Sequence, residues 1–130
     1  MADWLLKTEP SDYAFADLVR EKKCTWDGVA NAAALKNIRA IKKNDRVFIY
    51  HTGDEKAVVG IAVATSDGYG TPDVVDLKPD KALKRPVTLK QIKADPTFAE
   101  WALVKQARLS AMPVPAALWK RIEQLAETRE

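Results

Sequence analysis

The sequence predicts an α+β fold, a small and partly closed β-barrel of mixed strands with helices around its periphery. Two observations favour this fold over a doubly wound parallel sheet. The predicted strands are short and rich in β-branched and aromatic residues, and helical segments fall between them without a regular strand–helix–strand rhythm. The 130 residues also contain no internal repeat, low-complexity segment or linker. We therefore expect a single domain spanning residues 1–130, with a core of its own.

The composition is that of an ordinary globular protein, with 47% hydrophobic and 30% charged residues. A net charge of +3 permits an anionic partner without requiring one. The single cysteine, Cys24, cannot form an internal disulfide, which suits a reducing compartment. No apolar run approaches the ~20 residues of a membrane span, and the start of the chain lacks the basic region of a signal peptide. We expect a soluble, cytoplasmic monomer with no membrane partner.

The first third of the chain is predicted to alternate between regular elements and turns. Pro10 closes the opening strand, because its nitrogen cannot donate to a ladder. Ala14 stands where the first helix would need a capping side chain, whereas Asn31 can cap the second. Trp26 lies in a segment with glycine and no period, which indicates a loop. The predicted elements are a strand at 4–8, a helix at 15–21, a loop at 24–29 and a helix at 32–42.

The central strand is predicted at residues 46–52, where β-branched and aromatic residues alternate. It pairs as a hairpin with a second strand at 57–65. The strand at 46–52 is apolar in its middle and ends in Tyr50, His51 and Thr52, an aromatic ring followed by hydrogen-bonding groups. This ending suits the mouth of a pocket, although a plain hairpin strand with a polar end would show the same pattern.

The second half of the chain begins with a strand after the glycine-rich turn at 67–72. Thr88 and Gln91 form a capping box that starts a short helix. The last helix places Leu118, Ile122 and Leu125 on one stripe. The predicted elements are a strand at 74–78, a helix from Thr88 to about residue 94, a helix or turn at 98–104, a strand at 107–114 and a helix at 116–127.

Several kinds of chemistry are poorly supported. One histidine and one cysteine cannot supply the three or four ligands of a zinc site, and we expect no metal and no cofactor. The dispersed glycines match no phosphate-binding loop. Cys24 and His51 could form a nucleophile–base pair only if the fold brought them together, and nothing around Cys24 suggests an activated thiol.

Two features rise above this background. The first is a basic strip in residues 36–46, which is either a solvated helix face or a contact surface for phosphates. It consists of Lys36, Arg39, Lys42, Lys43 and Arg46. The second is the pair of aromatic residues in polar company, Trp26 and Tyr50. The other tryptophans, Trp4, Trp101 and Trp119, lie on patterned elements and are expected in the core.

Five motifs carry a resemblance to a known family. In chain order they are Trp4-Leu5-Leu6-Lys7-Thr8-Glu9-Pro10, Trp26-Asp27-Gly28-Val29-Ala30-Asn31, Lys42-Lys43-Asn44-Asp45-Arg46-Val47-Phe48-Ile49-Tyr50-His51-Thr52, Arg85-Pro86-Val87-Thr88-Leu89 and Ala107-Arg108-Leu109-Ser110-Ala111-Met112-Pro113-Val114. Together with the tryptophan helix that follows, they make nearly the whole chain resemble the EVE domain family. That family is a branch of the PUA-like superfamily and is related to the YTH domains.

The resemblance implies a PUA-like barrel that binds DNA or RNA without catalysis, by taking one flipped and typically modified base into a pocket. Trp26 and Tyr50 would form its aromatic walls. Polar edge contacts would come from Lys7, Thr8, Asn31, His51, Thr52 and Ser110. Leu109 and Met112 would line an apolar side able to receive a methyl group. The candidate phosphate contacts are Lys36, Arg39, Lys43 and Arg46.

The sequence departs from the family pattern at two donors. Ala30 replaces an arginine, and Met112 replaces a glutamine, so we expect a more apolar pocket. Two other functions remain open from the sequence. One is a small hydrolase or nucleotide-processing enzyme using His51, which would need an acid or a nucleophile within hydrogen-bond reach. The other is a module that binds a free metabolite or a partner protein, with the basic strip as mere surface.

Overall fold

The computed structural model describes residues 2–127, which form a mixed six-stranded sheet. Its strands are β1 (Asp3–Thr8), β2 (Cys24–Trp26), β3 (Arg46–His51), β4 (Ala57–Ala64), β5 (Val75–Thr88) and β6 (Ala111–Pro113). The strand order is β2-β5-β4-β3-β1-β6, with β1 and β3 parallel and all other neighbours antiparallel. The sheet curls into a half-barrel, which confirms the predicted fold class.

Helices surround this sheet, as the sequence predicts. They are α1 (Phe15–Glu21), α2 (Ala32–Ala40), α3 (Leu89–Ala94), α4 (Ala102–Lys105) and α5 (Ala116–Glu127), with a 3-10 turn at Pro96–Phe98. Two predicted caps are confirmed. Asn31 Oδ1 accepts the Ala34 N–H at 3.0 Å, and Thr88 and Gln91 exchange their capping bonds at 2.9 and 3.1 Å. No helix among residues 2–127 has the length and apolar character to cross a membrane.

The central strand β3 is buried on both faces, not on one. Its four inner residues, Val47 to Tyr50, are at most 3% exposed. Strands β1 and β4 flank it, and α5 covers one face through Trp119, whose ring stacks on Phe48 at 3.6 Å between centroids. A strand in this position reads as a continuous apolar run, so its alternation carries little information about which side is solvated.

The segment at 24–29, predicted as a loop, begins with the strand β2. Cys24, Thr25 and Trp26 pair with the first residues of β5, and Trp26 lies opposite Val75. Trp26 is only 7% exposed and belongs to the core. The prediction was wrong because a three-residue strand is too short to show a period, and its partner lies some fifty positions later in the chain.

Strand β5 is far longer than predicted, continuing from Val75 through the charged stretch to Thr88. Its pairing with β4 shifts register twice, between Val58 and Gly60 and between Ile61 and Ala62. Beyond Leu77 the described partners of β5 lie only on the β4 side, so its prolines leave no ladder bond unmade on the other side. Lysines and prolines hid this strand from a reading based on β propensity.

Three boundaries also differ from prediction. Strand β6 covers only Ala111–Pro113, and residues 107–110 form a loop before it. Helix α2 ends at Ala40, because Ile41 adopts an extended backbone. The segment predicted as helix or turn at 98–104 divides into the 3-10 turn and α4. Boundaries of short elements depend on packing with distant partners, which sequence patterns do not record.

Candidate functional site

A cleft of about 700 Å³ opens between the C-terminal end of β1 and the segment that joins β2 to α2. Its lining comes from four parts of the chain. These are the end of β1 with the turn after it, the end of α1, the stretch from β2 toward α2, and the loop before β6. The lining residues are Lys7, Thr8, Glu9, Asp12, Tyr13, Glu21, Cys24, Thr25, Trp26, Asp27, Gly28, Val29, Ala30 and Ser110.

Backbone and hydroxyl bonds fix the floor of the cleft around β1. The Lys7 N–H donates to Ser110 O at 2.9 Å and so attaches the loop before β6 to β1. The Thr8 hydroxyl donates to Tyr13 O at 2.7 Å. That bond folds the turn after β1 back on the strand, which brings the Tyr13 ring to the cleft.

The helix α1, which follows Tyr13, is held at its first residues by one distant side chain, that of His51, and by one of its own, that of Asp17. His51 Nε2 accepts the Phe15 N–H at 3.0 Å, and Asp17 accepts the Ala14 N–H at 2.8 Å. The Phe15 ring packs where Gly60 has no side chain, since a Cβ there would lie 2.5 Å from the ring. The cap that Ala14 cannot provide therefore comes from β3, and α1 is locked against the sheet.

Two aromatic rings form one wall of the cleft. Tyr13 and Trp26 meet edge to face, with centroids 6.0 Å apart and an interplanar angle of 83°. Trp26 is mostly buried, whereas Tyr13 is half-buried and presents more of its ring. The Tyr13 hydroxyl donates to Glu21 at 2.8 Å, and burial together with that bond raises the pKa of Tyr13, so the phenol stays protonated.

The charge of the cleft is predominantly negative. Within residues 2–127, its lining contains one ammonium group, on Lys7, against the carboxylates of Glu9, Asp12, Glu21 and Asp27. Burial lowers the pKa of Lys7, and its Nζ donates to Ala107 O at 2.9 Å. Bonds from Ser11 lower the pKa of Glu9 and keep it ionised. The cleft thus offers many hydrogen-bond acceptors and a single, already engaged cation.

Of the ten predicted pocket residues, the structure brings four to the cleft: Lys7, Thr8, Trp26 and Ser110. The side chain of Asn31 is occupied in capping α2 and does not line the cleft. Leu109 and Met112 are buried at 8% and 0% exposure, and Met112 pairs with Leu5 inside the sheet. The departure at Ala30 does lie in the lining, whereas the departure at Met112 does not.

Tyr50, His51 and Thr52 lie behind the cleft and not in its lining. Tyr50 is 3% exposed, with its ring centroid 5.7 Å from Lys7 Nζ. The Thr52 hydroxyl lies 3.3 Å from both Thr8 O and a Glu9 carboxylate oxygen. These three residues contact the cleft residues from within the fold, which is a supporting position and not the predicted pocket mouth.

The ring of His51 is fully engaged. Because Nε2 accepts the Phe15 N–H, the ring proton sits on Nδ1, which donates to Glu55 Oε1 at 2.7 Å. An acid is therefore within reach, but both nitrogens already have partners and neither faces the cleft. Burial raises the pKa of the Cys24 thiol, and His51 has no contact left for it. Among residues 2–127 no cluster of ligands could hold a metal ion.

The basic strip does not form one helical face. Since α2 ends at Ala40, Lys43 is not stacked one turn beyond Arg39. Arg39 binds Asp73 through two bonds of 3.0 and 2.9 Å, while Lys36 and Lys43 are exposed. Arg46 binds Asp3 in the same bidentate way at the opposite end of β3 from His51. Arg46 pairs with Asp3 of β1, which lies four residues before Lys7. Arg46 is therefore about 13 Å along the strand from the cleft residue Lys7.

Sequence reasoning missed the more accessible of the two aromatic rings, Tyr13, and all four carboxylates of the lining. Tyr13 satisfies the criterion that selected Trp26, an aromatic residue among polar neighbours outside any periodic pattern, and that criterion would have found it. Glu9 and Asp27 stand within the motifs that carry the resemblance. Asp12 and Glu21 had no signal of their own, because only the fold places the turn after β1 beside the end of α1.

Comparison with known proteins gives concordant matches along the chain. The family model for the EVE domain matches residues 2–125. The NMR structure of Rpa0253 from Rhodopseudomonas palustris is 37% identical, covers 100% of this chain and 96% of that one, and superposes with a TM-score of 0.92. The crystal structure of human THYN1 in complex with DNA containing 5-methylcytosine covers all of both chains with a TM-score of 0.94 at 21% identity.

A curated relative matches over part of its length. Thymocyte nuclear protein 1 from Rattus norvegicus is 32% identical over 78 residues, which is 51% of this chain and 34% of that protein. The matched stretch therefore spans about a third of the length of the rat protein.

Proposed function

The chain belongs to the EVE domain family, and from this premise we propose that it is a non-enzymatic nucleic-acid-binding module whose cleft takes a single, modified base flipped out of the strand. The human THYN1 structure supports nucleic-acid binding, because that relative is in complex with DNA containing 5-methylcytosine. DNA carrying this modified base is therefore the first ligand to test, with RNA of the same sequence beside it.

The observation that carries the proposal is the cleft that joins aromatic walls to an acceptor-rich lining. Its volume of about 700 Å³ lies in the range of small-ligand sites. A flipped base would place its face against the exposed ring of Tyr13, beside Trp26. Stacking of this kind contributes about 1–3 kcal/mol per base and tolerates many bases. The carboxylates suit exocyclic amino groups, which donate hydrogen bonds.

Polar contacts around the base would come from residues whose groups face the cleft. Ser110 lines it with a half-exposed side chain, at the point where its carbonyl holds β1. Asp27 and Asp12 line it with exposed carboxylates. Lys7 contributes less as a donor, because its ammonium already bonds Ala107 O. A flipped base of moderate size would thus meet acceptors on its edge and a ring on its face.

The engaged state of the titratable groups supports a binding role over a catalytic one. A general base needs a nitrogen or an oxygen within reach of the substrate. Both His51 nitrogens bond protein groups, and burial keeps the Cys24 thiol protonated. The hydrolase hypothesis loses the residue on which it depended.

The test is a set of titrations with matched oligonucleotides that differ by one methyl group on the central cytosine, as DNA and as RNA. Tyr13→Ala should weaken binding by about 1–3 kcal/mol, or roughly 5- to 150-fold, because one stacked face is lost. Trp26→Ala is a poor probe, since removing a buried tryptophan costs about 3–5 kcal/mol of stability and unfolds part of the cleft wall.

Tyr69→Ala is the matched control. Its ring is 47% exposed, its hydroxyl also donates to a carboxylate, that of Asp76, and it does not line the cleft. Equal affinity of the wild type and the folded Tyr13→Ala protein would contradict the assignment of the cleft. Failure of the wild type to bind any of these oligonucleotides would contradict the proposed function itself.

A further inference from the structure

A second groove, of about 550 Å³, lies at the corner where β5 runs into α3. Among residues 2–127, its lining contains two cations and no carboxylate. The lining residues are Arg85, Pro86, Thr88, Lys90, Gln91, Ala94 and Leu125. Within residues 2–127, neither Arg85 nor Lys90 has an ion-pair partner, although Lys84 beside them pairs with Glu127 at 3.6 Å. In the described part of the chain, this corner therefore presents two unpaired cations in a concave surface.

A third cation adjoins the groove. Lys56 lies in the turn between β3 and β4, is exposed, and accepts the Leu89 N–H at 2.8 Å through its carbonyl oxygen. That bond ties the turn to the start of α3. The carboxylate that precedes it, Glu55, is bonded to His51 at 2.7 Å and remains 42% exposed. The three cations gather at one end of the sheet.

Strand register places this groove at the same end of the sheet as the cleft. Thr8 pairs with His51, His51 pairs with Ala57, and Ala57 pairs with Thr88. Thr8 lines the cleft and Thr88 lines the groove. Three strand spacings of about 4.8 Å separate them, which makes about 14 Å along one transverse row. A stacked strand rises about 3.4 Å per nucleotide, so about four nucleotides cover this distance.

The charge distribution shows why a strand bound at the cleft would need this groove. The cleft itself holds four carboxylates and one engaged ammonium, so it repels phosphates. Arg39 and Arg46, two of the phosphate contacts expected from the sequence, are each bonded bidentately to an aspartate. Binding of a polyanion gains most of its free energy from cations that release counterions from phosphates.

We infer that the groove lined by Arg85 and Lys90 binds the phosphates of the nucleic-acid strand whose base occupies the cleft. The inference rests on the proposed function and adds to it the path of the strand, across the β3–β4 turn and not along α2. Its cations supply affinity common to all sequences, while the cleft supplies the choice of base.

The experiment compares two double variants that each remove two positive charges. Arg85→Gln with Lys90→Gln alters the groove, and Lys36→Gln with Lys43→Gln alters the strip that includes α2. Each is titrated with single-stranded DNA carrying one central 5-methylcytosine and with its unmodified counterpart, from about 50 to 200 mM salt. The slope of log K against log salt concentration counts the phosphates contacted.

The groove variant should lower that slope by about 1.4, because each phosphate contact on a single strand contributes about 0.7. At about 0.1 M salt this corresponds to a loss of about 25-fold in affinity, equal for the two oligonucleotides. The Lys36 and Lys43 variant should keep the wild-type slope. Lys90→Gln alone, at an exposed position that cannot disturb folding, should give about half the change in slope and about a 5-fold loss.

An unchanged slope in the groove variants, with the wild type still binding, would overturn the inference and leave the proposed function standing. So would a loss confined to the Lys36 and Lys43 variant. A loss in the groove variant that differs between the two oligonucleotides would place a base, not a phosphate, in the groove and overturn it as well. If the wild type binds neither these oligonucleotides nor their RNA counterparts, the proposed function fails, and the inference fails with it.

Discussion

Each end of β3 carries a basic side chain bonded to a carboxylate, but the two ends have different structural roles. At the first end, Arg46 binds Asp3 at 2.9 and 3.0 Å, and its guanidinium lies 4.2 Å from the Trp119 ring. Beside it Asp45, which is 4% exposed, accepts the Trp4 indole N–H at 2.9 Å. Every one of these contacts joins a structural element to another, so this end holds the half-barrel together.

At the other end, one partner of His51 is the backbone of α1, which begins two residues after the cleft residue Tyr13. The ring fixes the Phe15 N–H and thereby the start of α1, directly after Tyr13. Residues of the same motif therefore have different roles according to the end of β3 at which they lie. Substitutions at the Arg46 end should lower stability and spare binding by the folded protein, whereas substitutions at the His51 end should lower binding as well as stability.

The largest effect is expected at Asp45. Asp45→Ala leaves the buried Trp4 indole N–H and the Lys42 N–H without their acceptor, bonds of 2.9 and 3.0 Å. Each unsatisfied buried donor costs about 1–3 kcal/mol, so the free energy of unfolding should fall by about 3 kcal/mol. Urea unfolding measures this loss, and oligonucleotide affinity of the folded protein should stay at the wild-type value.

Asp67→Ala is the matched control for that variant, because Asp67 accepts the N–H of the next lysine, Lys43, at 2.9 Å but on an exposed loop. Its loss should be well under about 1 kcal/mol, since water replaces the lost acceptor. Equal losses at the two aspartates would show that the Arg46 end contributes no special stability.

An intermediate effect is expected at Arg46. Arg46→Gln leaves the Asp3 carboxylate, 7% exposed, without its bidentate partner. The arginine is itself 40% exposed, so solvent compensates in part and we expect a loss of about 1–2 kcal/mol. The salt dependence of oligonucleotide binding should not change. A flatter salt slope would identify Arg46 as a phosphate contact after all, as the sequence predicted; Lys43→Gln, at an exposed position, controls for the lost charge.

The smallest effect on stability, with the largest on binding, is expected at His51. His51→Ala removes the acceptor for the first N–H of α1, and loss of a helix cap costs about 1 kcal/mol of unfolding free energy. Because Tyr13 precedes this helix, the freed wall should lower oligonucleotide affinity by about 1 kcal/mol, close to one stacked contact.

Asp17→Ala tests the other bond that fixes the start of α1, since Asp17 accepts the Ala14 N–H at 2.8 Å. It should reproduce both effects of His51→Ala. If either variant loses stability with oligonucleotide affinity intact, the two ends of β3 do not differ in the way proposed.

A secondary-structure element could be predicted from the sequence where its signal comes from residues close together in the chain. The strand at β3, the caps at Asn31 and Thr88, and the helix α5 were predictable, because each depends on residues within a turn or two of one another. Strand β2 and the lysine-rich half of β5 were not. Strand β2 is only three residues long and pairs with a partner about fifty positions later, while the lysines and prolines of β5 do not favour a strand.

The residues of the candidate site also divide into those that the sequence could locate and those that it could not. Motif positions that end a strand at the cleft, such as Lys7 and Thr8, were found from the sequence. His51 was predicted in the pocket and lies behind the cleft, because a polar residue that caps a helix 36 positions away looks identical in sequence to one that faces a ligand. Trp26 combines both roles, since it pairs within the sheet and borders the cleft.

The bond between β1 and the loop before β6 also determines when the cleft can form during synthesis of the chain. Lys7 reaches Ala107 across 100 positions, and the Lys7 N–H holds Ser110. Closing so long a loop is entropically costly and slow compared with forming local hairpins. A nascent chain on the ribosome that has released β1 to β5 still lacks one side of the cleft. The cleft is therefore complete only when the loop before β6 has been made and has bonded to β1.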